Sequence, residues 1–160
     1  MSGPLLKEAP VLPPLPENVN ETFKILENNP VVKDALKQIK EEEQLTMADQ
    51  IALTEIEAPP FHEEVRAAYF ADRLRELGLT NVRIDREGNV IGIRPGKGNG
   101  PRLVLGAHLD TVFPAGTNVK VRREGTKYYA PGISDDARGL AVVLEAVSYT
   151  HLTLPTSDLV

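Results

Sequence analysis

The sequence predicts an α/β fold, a mixed β-sheet flanked by helices, and three observations predict it. Helical apolar spacing runs through residues 29–77, and two-residue alternation takes over from Val82 to Ile93. A helical pattern returns at Gly139, after an apolar run, LVLGAH, that reads as a buried strand. Helices before and after such strands pack as layers on a sheet. At 160 residues the chain is long enough for one domain and short for two.

Taken in order, the Pro-rich start, residues 1–17, reads as an extended surface arm, because proline cannot donate to a helix. Asn29 followed by Pro30 predicts an N-cap and a first helical residue, with Val31, Val32, Ala35, Leu36 and Ile39 at helical spacing. A second helix through Met47, Ile51, Leu53 and Ile56 ends at Pro59 and Pro60. A third, from Phe61 to Leu77, places Val65, Ala68, Phe70, Ala71, Leu74 and Leu77 on one buried stripe, and Gly78 stops it. Residues 81–94 read as a hairpin turning at Glu87-Gly88-Asn89, and the loop from Pro95 to Pro101 leads into LVLGAH. That loop is Gly-rich, yet a phosphate-binding loop needs a helix after it and here a strand follows. Val119, Val121, a turn at Glu124-Gly125 and Tyr128-Tyr129 make a second hairpin, with the tyrosines on opposite faces. Gly139 to Ala146 begins an apolar helix that packs its GLAVVLEA face on the sheet.

Composition narrows the partners. With 41% hydrophobic and 26% charged residues the chain reads as a water-soluble globular domain, and the formal charge of −5 gives no attraction to nucleic acid or an anionic membrane. The N-terminal stretch contains no continuous apolar run of the kind a signal peptide or membrane span requires, so a cytoplasmic location is expected. Without cysteine there is no disulfide and no thiolate site, so any metal must be held by His, Asp and Glu.

Two motifs carry such residues. In VLGAHLDTVFP a strand ends in His108 and Asp110, which share a face because strand side chains alternate. An imidazole is a common zinc ligand, and a neighbouring carboxylate can fix its tautomer and raise its basicity. In PGISDDARGLAVVLE, Asp135 and Asp136 stand at a loop-to-helix junction, where a carboxylate can bridge two cations about 3.5–4 Å apart. The same pair can instead simply cap the helix. His62, Arg138, Tyr128 and Tyr129 receive no site assignment.

GAHLDTVFP and APGISDDARGLAVVLE, in that order, resemble the zinc metallopeptidase family of tripeptidase T, carboxypeptidase G, acetylornithine deacetylase and succinyl-diaminopimelate desuccinylase. IEAPPFHEEVRAAYFADRLRELG and VRIDREGNVIGI resemble the start of the same family, so the resemblance covers roughly residues 45–146. It implies the N-terminal half of a zinc-peptidase domain, truncated, with residues 18–146 as the catalytic part. It also implies that His108 binds zinc, that Asp110 is the catalytic carboxylate orienting His108, and that Asp135 bridges two Zn2+ ions, with Co2+ or Mn2+ as substitutes. Asp136 stays open as the bridge; Asp135 is preferred because it lies four residues before Gly139. A cis peptide after that Asp is a frequent family trait. The implied reaction is hydrolysis of a small peptide, the alternatives being an N-acyl amino acid deacylase or a non-catalytic metal-binding module. The implied substrate is a small peptide or an N-acyl amino acid, and a homodimer through a further domain fits the intact protein. The family's general base and remaining ligands have no counterpart in these 160 residues, so the chain alone is expected to be inactive. Residues 147–160 break the helical period, and VSYTHLTLPT resembles a translated sequencing adapter, so His151 is not taken as a ligand.

Overall fold

A computed structural model describes residues 16–96 and 102–148. Most of the Pro-rich arm, residues 97–101 of the Gly-rich loop and residues 149–160 of the tail lie outside the described residues. The order is α1 (Glu17–Asn28), α2 (Pro30–Glu41), α3 (Glu43–Thr54), α4 (Glu64–Glu76), β1 (Thr80–Ile84), β2 (Val90–Ile93), β3 (Arg122–Glu124), β4 (Lys127–Tyr129) and α5 (Ala137–Ser148). The fold is α/β, as expected, but in place of a mixed β-sheet the described strands pair as two separate antiparallel hairpins, β1 with β2 and β3 with β4.

Local chemistry accounts for the boundaries. The Asn29 side chain accepts the Val31 and Val32 amides at 2.9 and 3.4 Å and caps α2. Helix α4 begins three residues later than expected, because Phe61 takes a left-handed backbone (φ 66°) and its amide donates to Glu63 Oε1 at 2.7 Å. Gly78, at φ 78°, closes α4 in the conformation that glycine adopts without strain. The helix α1 was not anticipated; its Phe23 and Ile25 are more than half exposed, so no buried stripe announces it.

The core is formed by Leu53 of α3, Phe70 and Leu74 of α4, and Ala137, Leu140 and Leu144 of α5, with Leu79, Val82 and Val90 packed against it from the first hairpin. Each fully buried leucine contributes about 1.5–3 kcal/mol through the hydrophobic effect. Arg94 fastens this core at one end by donating to Leu77 O at 2.6 Å and Val147 O at 2.8 Å, the ends of α4 and α5.

Two further expectations need correction. The buried face of α4 is formed by Arg66, Ala67, Phe70, Ala71 and Leu74, so Val65 and Ala68 point outward, with Val65 69% exposed. The stripe is rotated because Arg66 turns inward to reach main-chain carbonyls. The LVLGAH segment is not a buried strand: among the described residues no strand pairs with it, and Leu103 and Val104 are 83% and 87% exposed. Its composition suits a buried strand, but a strand exists only through its neighbours.

Candidate metal centre

Two loops converge at the N-terminus of α5. The first, running through His108 to Thr117, is tethered to the α3–α4 connection. Thr111 donates both its amide (2.8 Å) and its hydroxyl (3.2 Å) to Ala58 O, the Gly116 amide reaches Glu57 Oε2 at 2.8 Å, and the Val121 amide reaches Glu55 Oε1 at 2.9 Å. The Lys120 ammonium beside Glu55, followed by that amide, holds the Glu55 carboxyl below its usual range. The second loop, Pro131–Asp136, is held by Gln50, whose Nε2 donates to Ile133 O at 2.7 Å while its Oε1 accepts from Arg138 at 3.2 Å. Gly132 lets the loops touch: it sits at φ 74°, and a Cβ there would lie 2.9 Å from Thr111 Cγ2.

The residues singled out in the sequence meet here. His108 Nδ1 lies 3.0 Å from Asp110 Oδ1 and 3.1 Å from Asp110 O, and Nε2 lies 2.9 Å from Asp135 Oδ1. Both ring nitrogens face acceptors, two at Nδ1 and one at Nε2, and the single hydrogen of the neutral ring meets more of them on Nδ1. In the neutral ring Nε2 then presents a lone pair to the Asp135 carboxylate, an arrangement that a proton or another cation on that edge resolves. Burial lowers the affinity of His108 for a proton, but hydrogen bonds with Asp135 and Asp110 and the charges of Asp136 and Asp110 outweigh it, leaving the pKa above its usual value.

The two aspartates, joined by a cis peptide bond, do different things. Asp136 is an N-cap: its carbonyl accepts the Leu140 amide at 3.0 Å and its Oδ1 accepts the Gly139 amide at 3.0 Å. Its Oδ2 accepts the His108 amide at 3.0 Å, so the same carboxylate joins the helix to the histidine loop. Asp135 is left with its side chain 85% exposed at the mouth of a cleft of about 310 Å³, lined also by His108, Asp110, Thr111, Phe113 and Pro131.

This donor set suits a borderline cation. Two ligands on one tetrahedral zinc stand about 3.3 Å apart at the usual bond lengths of about 2.0–2.1 Å, close to the 2.9 Å between Nε2 and Asp135 Oδ1. Among the described residues no group of three or more His, Asp or Glu side chains is gathered to hold an ion. His62 is exposed. Sequence reasoning missed Arg66, Gln50 and Thr111; each is a buried polar or charged residue whose signal is only its place on a helix or loop otherwise read as apolar or irregular.

Peptidase family M28 matches residues 89–159, from the turn of the first hairpin through α5 and the residues after it. The chain is 41% identical over 81 residues to carboxypeptidase G2 of Pseudomonas sp. (strain RS-16), covering 46% of this chain and 19% of that protein. It is 36% identical over 115 residues to succinyl-diaminopimelate desuccinylase of Corynebacterium glutamicum, covering 69% of this chain and 30% of that protein. The chain thus spans under a third of the length of these curated relatives.

Proposed function

We propose that this chain, which resembles the N-terminal part of the zinc metallopeptidase group, supplies the first metal ligands of a hydrolase that cleaves a peptide or N-acyl amide bond. One observation carries the reading. The His108 ring is pinned at Nδ1 by Asp110, so that Nε2 and an exposed Asp135 oxygen share one edge of the cleft. His108 and Asp135 would hold the ion, and Asp110 would keep the ring in the ligating tautomer. Held by these residues, zinc would supply a more acidic bound water and polarisation of a scissile carbonyl. Asp135 rather than Asp136 would be the carboxylate open to a second ion, because both Asp136 oxygens are engaged by amides.

Peptide and N-acyl substrates are both kept, since the relatives include a carboxypeptidase and a desuccinylase. The 160-residue chain is expected to bind metal weakly and not to hydrolyse either substrate, because His108 and Asp135 fall short of the three protein ligands of a catalytic zinc site. Co2+ titration followed by visible absorption tests the ligands: binding should be lost in both His108→Ala and Asp135→Asn. Retention of the wild-type spectrum in either variant refutes the assignment. Chelator-sensitive cleavage of a dipeptide or an N-succinyl amino acid by the purified chain would refute the expected inactivity.

A further inference from the structure

Arg66 is the largest fully buried side chain among the described residues, and the site chemistry above makes no use of it. A buried guanidinium is expensive unless its donors are satisfied. Its Nε (3.1 Å) and Nη2 both donate to Ile56 O, and its Nη1 donates to Leu109 O at 2.8 Å. Leu109 is the residue between His108 and Asp110, and its carbonyl belongs to the peptide that leads into Asp110. The grip therefore fixes the rotation of that peptide, and with it the direction in which Asp110 leaves the chain. Ile56 lies in the same connection that holds Thr111 through Ala58, so one planar fork joins the anchor and the motif.

We propose that Arg66 is the positioning residue of the metal centre, locking the Leu109 peptide so that Asp110 meets His108 Nδ1 and Nε2 is turned to the Asp135 edge of the cleft. The inference rests on the metal-ligand reading above but makes a claim about the metal-free chain as well. Lysine keeps the charge and loses the fork. Glutamine keeps a donor and loses the charge. Neither can hold both carbonyls in one plane.

The test uses the whole chain as wild type, Arg66→Lys and Arg66→Gln. At a pH where the His108 ring is neutral, 15N NMR of the metal-free wild type should show the Nδ1–H tautomer, and both variants should show a mixture with Nε2–H. Co2+ affinity should weaken by about 10- to 100-fold, the range typical of lost partners behind a metal ligand. Leu53→Ala serves as a comparator that destabilises the core and should leave the tautomer unchanged. Folded variants that keep the Nδ1–H tautomer, or Co2+ affinity within twofold of wild type, overturn the proposal. If both variants fail to fold, the wild type decides: restricted rotation and slow exchange of the Arg66 guanidinium protons support the clamp, and free rotation overturns it. A wild type that binds no Co2+ refutes the metal-ligand reading, while the tautomers of the metal-free wild type and variants still decide the role of Arg66.

Discussion

Replacing Gly139 with alanine separates the two aspartates by energy. A Cβ at this position would sit 2.6 Å from both Cγ and Oδ2 of Asp136 and nearer still to Oδ1, so the carboxylate must swing away. Two contacts are then lost, the cap on the Gly139 amide and the bond to the His108 amide. An N-cap is worth about 1 kcal/mol and a hydrogen bond to a charged group about 1.5–3 kcal/mol. Alanine returns at most about 1 kcal/mol of helix propensity, and less in a first turn. The expected net loss is about 1.5–4 kcal/mol. In an Asp136→Ala background both contacts are already gone, so Gly139→Ala should there be neutral or stabilising. Urea unfolding of the four proteins gives the coupling, expected at about 2.5–4 kcal/mol. Equal losses in the two backgrounds would show that Gly139 is required for some reason other than the Asp136 carboxylate.

Three further outcomes are expected. Asp135→Asn should change thermal stability by less than about 0.5 kcal/mol, as surface changes do, while abolishing the Co2+ spectrum; a loss comparable to that of Asp136→Ala would mean that Asp135 is structural. Leu140→Ala, at a site 1% exposed, should cost about 2–5 kcal/mol in urea unfolding, and a loss under about 1 kcal/mol would contradict the packing described. The raised pKa of His108 means that the folded state binds its proton more tightly than the unfolded chain. That stabilisation of the metal-free chain is therefore fully present below about pH 6.5 and is lost as pH rises through the higher folded value. A pH series of melting curves should show this decline, and His108→Gln should remove it.

The parts of the fold that were legible in sequence are those settled by local chemistry. Asn29-Pro30 and the glycines at 78, 88 and 125 set a cap, a helix stop and two hairpin turns without reference to the rest of the chain. The face of α4 was misread because a periodicity count places arginine outside, whereas Arg66 is drawn in by carbonyls 10 and 43 residues away. The run Leu103–Leu105 shows the converse limit: its apolar character is plain, but pairing depends on partners that lie elsewhere. At the site, His108, Asp110 and the aspartate pair were legible as metal-capable residues. Two adjacent aspartates are chemically identical in a sequence, and only their backbone geometry assigns one to the helix amides and the other to the cleft.

The tethers that build the cleft also bear on the order in which the chain folds. Thr111 reaches back 53 residues to Ala58, Gly116 reaches back 59 to Glu57, and Val121 reaches back 66 to Glu55, while the hairpins join strands separated by short turns. Closing such long loops costs chain entropy before any contact rewards it. The hairpins and helix turns are thus expected to form early and the loops bearing His108 and Asp135 to settle late, so that pulse-labelled exchange should protect the Thr111 amide after those of α4. The ligands are then gathered only on a scaffold that already stands, and a chain caught midway through folding would carry its helices without a place for an ion.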